Sequence, residues 1–427
     1  MRDNIKNEFL ASPLFIITLS YSLFIVSLFI PADYYERIIG ERNLLFIDPE
    51  SFIFVTVNVV SFYLGCLFYN MCSKKFRGTG LVNKGIARRV PVSIFSYIFL
   101  PVLLFLLASL FSIYLLIEKN KALIYLMLIG DVNAQYYKSE MDSTYTFEPL
   151  GQIANVVTLW AVYNYLFLKD KITRSKRLLL FFFIVCIFLV CVFRAFVKIA
   201  RYEMMPLIFG FIVIYIHYKY KERTTAQILK YYIIFFIFLI SMFAIFSFFR
   251  KDGSIDDIVK DVLGYTMVSY NHMAALLAGE LKLFNPGDGY YLYSFLSSIP
   301  FAGDYFSNLL GWAGKDIIYL RSFQDTFQSG LNGYYVWVSS FGDLYQSIGY
   351  FSVLYLFFNG FAMMWSWNKF KAGKLTGIVL YPWFFFCVFF WFGVSMVLTR
   401  WGFYTLLTLA FFSFYDIFYK KREDIYL

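Results

Sequence analysis

The chain has 427 residues, 60% of them hydrophobic, with a net charge of +10 and only two histidines, His217 and His272. No soluble domain of that length is so apolar, so this is a polytopic membrane protein. The positive balance does not point to nucleic acid, because most lysines and arginines sit in short loops between apolar runs, and two histidines exclude a His-rich metal site.

The first apolar run, 13–31, approaches the ~20 residues that cross a bilayer and has no small-residue cleavage site after it. It reads as an uncleaved first helix. Further runs follow at 52–71, 92–117, 150–168, 178–199, 203–218, 228–249, 346–367, 377–397 and 402–419. They predict an all-α fold, a single integral membrane domain over residues 1–427. Its bundle would hold about ten transmembrane helices, with both termini on one side. The loops on the side of the termini carry 23 of the lysines and arginines and 7 of the acidic residues, against 15 and 21 on the other. The positive-inside bias makes the first side cytoplasmic. The five cysteines form no CxxC and lie in or beside apolar runs, so they read as small core residues.

The stretch 250–345 departs from a simple bundle. It falls on the outer side and is too apolar for a linker. Ser254 followed by Asp257 is a helix-start pattern. The apolar spacing of Ile258, Val259, Val262, Leu263, Val268 and Leu276 then predicts a helix lying along the membrane surface. A turn, Asn285-Pro286-Gly287-Asp288-Gly289, precedes a second apolar piece, 290–300, too short to span. Long external loops of this kind serve as lids more often than as linkers.

Several cations stand against the charge bias at the outer ends of the runs. Arg194, Lys198 and Arg201 are spaced i, i+4, i+7 and share one face if the fifth helix continues that far. Arg194 interrupts the apolar run Cys191-Val192-Phe193. A mid-helix charge costs ~2.5–3.5 kcal/mol on insertion scales, less near an end, so such a residue faces a cavity or a partner. Lys198 reads as a cation snorkelling to headgroups, and Arg201, before the break at Pro206, as functional. Arg250 closes the seventh run and opens the loop with Lys251 beside it. Arg400 lies in the turn before the last run. The plain alternative for Arg250 and Arg400 is a capping or headgroup-binding cation. Guanidinium forks from separate helices match phosphate oxygens in a bidentate way that lysine cannot. Together they would hold a diphosphate and stabilise it as a leaving group without a metal.

Transfer to a hydroxyl gains from a general base, and Glu203, Asp252, His272 and Asp343 are the outer candidates. His272 has the plainer reading of a polar-face residue on the surface helix, and Glu203 that of a partner for Arg201. No DxD pair, GxxxxGK[ST], GxGxxG or GxSxG occurs, so metal-held nucleotide sugars, ATP, dinucleotides and serine-hydrolase chemistry have no support. Loop aromatics such as Tyr290, Tyr291, Trp312, Tyr334, Tyr335 and Trp337 suit either sugar stacking or an interfacial belt.

From about the fourth run onward the chain resembles bacterial oligosaccharide repeat-unit polymerases of the Wzy type, which build O-antigen or capsule chains. The resemblance rests on Ala200-Arg201-Tyr202-Glu203 before Pro206-Leu207, then Arg250 at a run's end. A long external loop follows with Tyr270-Asn271 and Ser297-Ser298-Ile299-Pro300. Last comes Ser339-Ser340-Phe341-Gly342-Asp343-Leu344-Tyr345 with Gly349, similar to the family's Gly-Glu-Leu-Tyr…Phe-Gly…Gly segment. Ala200 stands where the family often has glycine or serine, and Ser347-Ile348-Gly349 where Asp-Phe-Gly is common.

The resemblance implies a GT-C-like, metal-independent glycosyltransferase of the bacterial inner membrane, needing no cofactor. It would move a growing glycan from undecaprenyl diphosphate to the non-reducing end of a new lipid-linked unit at the periplasmic face. Arg201 and Arg250 match the family's diphosphate-contacting arginines, and 250–345 would be the lid. Arg194, Arg400 and Lys251 would assist binding, and Tyr270, Asn271 and Asp343 would position sugar hydroxyls. Expected partners are the lipid-linked oligosaccharide, membrane lipid, and a chain-length regulator and flippase of the same pathway. Rival readings are an O-antigen ligase, which uses the same loop and arginine logic, and a lipid-linked-sugar flippase, which would line a central cavity with cations.

Overall fold

The computed structural model describes residues 8–41, 45–78, 93–128, 140, 148–198, 200–220, 222–250, 260, 263–287, 289–299 and 302–423. Among these every regular element is helical. α1 (Pro13–Ser27) turns through 97° into α2 (Ala32–Ile39). Pro31, at the head of α2, disfavours helical backbone just before it. α3 (Pro49–Gly78), α4 (Ile94–Leu128), α5 (Glu148–Leu168), α6 (Arg174–Val197), α7 (Met205–Lys219) and α8 (Thr225–Arg250) follow. In the loop come α9 (Ser269–Leu277), α10 (Gly303–Leu309), α11 (Lys315–Gln328) and α12 (Ser339–Ile348). The chain closes with α13 (Ser352–Lys371), α14 (Leu375–Phe389) and α15 (Arg400–Glu423).

Each of the ten apolar runs contains a helix, but among the described residues fewer than ten helices are long and apolar enough to cross a membrane. Among the described residues seven helices meet that standard, eight if the bent α1–α2 pair is one span. α5 is diluted by Gln152, Asn155, Thr158 and Asn164, all buried. α7 has only 15 residues, since the turn Arg201–Glu203 takes up the chain before its N-terminal Pro206. Counting apolar runs alone sees neither effect.

α14 is the hub. It packs on α13, α7, α15, α1 and α5, and 72% of its apolar window is buried against at most 50% in the other spans. A helix apolar on every side can be enclosed that way. The closest helix pair is α3 with α13. A Cβ at Gly65 would overlap the carbonyl oxygen of Phe357, and one at Gly360 that of Phe62. Small residues let membrane helices approach to backbone contact. Gly65→Val is therefore expected to push the pair apart and cost about 1–3 kcal/mol, read as a lower melting midpoint of the purified chain in detergent.

The loop corrects one expectation outright. The helix predicted to lie on the surface is enclosed instead: Ser269 through Ala275 are all buried, and α9 packs against α12. Val268, of the apolar spacing, is buried as well, and Ile258, Val259 and Val262 lie outside the described residues. The start signal at Ser254 and Asp257 lies outside the described residues.

Candidate functional site

α14 gives way to a tight turn, Phe390–Phe392, after which residues 393–399 run without helix until α15 begins at Arg400. Irregular backbone beside spans is tolerated where protein buries it or where it lines a cavity, and both hold here. The Ser395 N–H donates to Asp343 Oδ2 at 2.8 Å. The segment also walls a cavity of about 340 Å³, within the ~300–1,000 Å³ typical of ligand pockets.

Asp343 and Arg400 both line this cavity. Tyr202, Tyr290, Tyr291, Trp337 and Trp401 supply aromatic wall, and Ser294, Ser297 and Ser298 supply hydroxyls. Asp343 is buried. Burial pushes the Tyr290 phenol up; the Arg400 charge pulls it partly back and the Asp343 carboxylate adds to the rise. Burial also raises Tyr291, again with a contribution from Asp343. Asp343 is carried on α12, whose first residue, Ser339, has φ +60° and is fully buried. It is the one non-glycine residue with positive φ among those described, and strain of that kind, ~1–3 kcal/mol, clusters at functional sites.

Arg400 occupies the first position of α15. The helix dipole and the unsatisfied N–H groups there favour an anion, so a cation at this position does not cap the helix. Arg400 and those N–H groups offer one anion two kinds of partner.

The Arg201–Glu203 turn approaches the same point. The Tyr202 ring meets Trp401 edge-on, centroids 5.7 Å apart, so Arg201 and Arg400 flank a direct packing contact. The Arg201 and Arg250 side chains, and Lys251 entirely, lie outside the described residues. α5 supports the turn: Asn155 Nδ2 donates to the Glu203 carbonyl at 2.8 Å, and Gln152 Nε2 to Thr405 Oγ1 of α15 at 3.0 Å. Two of the polar residues that dilute α5 as a span, Gln152 and Asn155, thus hold the turn and α15 in place.

Lys198 does not snorkel. It is buried and ion-paired with Glu203, whose other oxygen lies 3.7 Å from Arg194 Nε. Arg194 is also buried, and its guanidinium lies over Gly151, where an added Cβ would come within 3.1 Å. Glu203 bridges Arg194 and Lys198, and its expected pairing with Arg201 falls on a side chain outside the described residues.

Tyr270, Asn271 and His272 do not line the cavity either. Tyr270 is buried against Phe24, centroids 5.0 Å apart. His272 Nε2 lies 2.8 Å from Glu41 Oε1, which also accepts the Asn332 N–H at 2.8 Å. Glu41 Oε2 accepts from Tyr35 Oη at 2.5 Å and Asn271 Nδ2 at 3.2 Å. His272 is therefore no polar-face residue of a surface helix; it ties α9 to the segment between α2 and α3. Glu41, Tyr35 and Ser395 were missed in the sequence, since nothing local connects position 41 with positions 271 and 272. Trp337, Tyr290 and Tyr291 do reach the cavity, whereas Tyr335 sits in a small apolar cluster and Tyr334 is exposed.

Burial pushes the Glu41 carboxyl up, but the hydrogen bonds and charge from His272, Tyr35 and Asn332 outweigh it and hold the group below its usual 4.5. A depressed folded value means that this network stabilises the protein above the unfolded carboxylate's range and stops doing so as pH falls through the folded value. Glu41→Gln is expected to cost about 1.5–3 kcal/mol at pH 7 and to flatten the loss of stability below about pH 4.5, measured as melting in detergent against pH. Compared with known proteins, the chain matches no family model, no curated protein and no solved structure.

Proposed function

We propose that this protein is a metal-independent glycosyltransferase of GT-C-like architecture that polymerises undecaprenyl-diphosphate-linked repeat units at the periplasmic face of a bacterial inner membrane. The observation that carries the reading is one cavity lined by both Asp343 and Arg400, with Tyr202, next to Arg201 in the chain, on its wall. The diphosphate of the growing chain binds at the N-terminus of α15, held by Arg400 and joined by Arg201 and Arg250. The acceptor's hydroxyl oxygen attacks the anomeric carbon, and the carbon–oxygen bond to the diphosphate breaks. The leaving charge stays on the diphosphate among the arginines, and the hydroxyl proton passes to Asp343. Arg194 and Lys198 act at one remove, fixing the turn that carries Arg201.

A deletion strain complemented with wild type, Arg201→Ala or Arg250→Ala tests this on a gel that resolves each added unit. The expected pattern is long chains with wild type and a single repeat on the core with either variant. Bare core would identify a ligase, and unchanged chain length in the variants would overturn the arginine assignment.

A further inference from the structure

α11 is amphipathic the wrong way round for a helix in water. The stripe it buries, Ile318, Ser322 and Thr326, is mostly small and polar. Its outward face carries Tyr319, Leu320 and Phe327, each more than half exposed, with Phe323 half-buried beside them. At 100° per residue Tyr319, Leu320, Phe323 and Phe327 fall on one side of the helix. A water-facing helix puts its aromatic and leucine side chains inward and its serine and threonine outward.

The position of α11 explains the inversion. Asp325 Oδ2 accepts the Phe284 N–H at 2.6 Å, and the Phe284 carbonyl accepts from Gln346 Nε2 at 3.1 Å. Gln346 lies near the end of α12, just before the chain enters the span of α13. At that entry Tyr350 and Phe351 are exposed as well, Phe351 to 75%. Two hydrogen bonds therefore tie α11 to the level at which the apolar surface of the spans begins, and its outward face continues that surface.

We propose that α11 lies in the boundary between headgroups and acyl chains of the leaflet on the loop side, with Leu320, Phe323 and Phe327 inserted and exposed Arg321 at the phosphates. The lid is thereby fixed at headgroup depth. This follows from the helix and its tether, whatever chemistry the cavity performs.

Site-specific photocrosslinking of the full chain in nanodiscs of phosphatidylethanolamine and phosphatidylglycerol tests it. With p-benzoylphenylalanine replacing Leu320 or Phe327, lipid adducts are expected at a yield roughly tenfold above that at exposed Glu280. Crosslinks to a second copy of the chain, or equal low yields at all three positions, would overturn the proposal. Phe327→Trp, quenched by brominated acyl chains at a depth just below the headgroups, reads the same placement without a crosslinker; no quenching would contradict it.

Discussion

Asp343→Asn is expected to reduce chain extension about 100- to 10,000-fold while leaving the protein folded, the span of effects seen when a positioned proton acceptor is removed. Asparagine keeps the volume of the side chain, and its carbonyl oxygen still accepts the Ser395 N–H now received by Asp343 Oδ2. The contact between α12 and the unwound segment therefore survives. What disappears is the negative charge facing the cavity and the capacity to take a proton. Turnover of a lipid-linked repeat unit, measured beside the melting midpoint, separates the two effects. Unchanged midpoint with lost turnover supports Asp343 as the base; near wild-type turnover would leave it a structural acceptor for Ser395.

Glu203→Ala is expected to destabilise the chain by about 3–5 kcal/mol, because Lys198 and Arg194 would both stay buried without the carboxylate that they share. The loss falls on the turn before α7 and so on the position of Arg201. Removing the pair together is milder. In Lys198→Met with Glu203→Gln, one buried cation goes along with the carboxylate, and glutamine leaves the Asn155 bond to the Glu203 backbone intact. Part of the lost stability should return, since Lys198 no longer stays buried without a partner, whereas Arg194 still does. Activity should return with it, as expected of a residue that positions its neighbours. Recovery of melting without recovery of turnover would instead make Glu203 a participant in the chemistry.

The membrane class and the helical runs were legible in the sequence, as were two cations that break the apolar pattern, Arg194, now in the Glu203 ion-pair cluster, and Arg400, now on the cavity wall. Arg194 interrupts α6, and Arg400 stands in a short turn between apolar runs. Asp343 stood among four outer candidates for a general base and lies in the segment that resembles a family's. Burial was not legible in the loop. The apolar spacing of 258–276 suits a helix lying on a bilayer and a helix enclosed by protein equally well. Only the distant partners of Asn271 and His272, at positions 35 and 41, decide between them. Fewer of the described helices pass as spans by length and composition than the ten apolar runs suggest, for a related reason. The polar residues of α5 look like lapses in a weak span until Asn155 and Gln152 are seen holding Glu203 and Thr405. The helix that does turn an apolar face outward, α11, gave no signal, since its pattern is unremarkable until one knows which stripe is buried.

The most direct test of the central claim is reconstitution of the purified chain in liposomes with undecaprenyl-diphosphate-linked repeat units as the only sugar substrate, in the presence of a metal chelator. The account predicts a ladder of products growing by whole repeat units with release of undecaprenyl diphosphate, absent with Asp343→Asn or Arg400→Ala. A folded, inserted protein that forms no ladder, or forms product only when a lipid A–core acceptor is added, would contradict it.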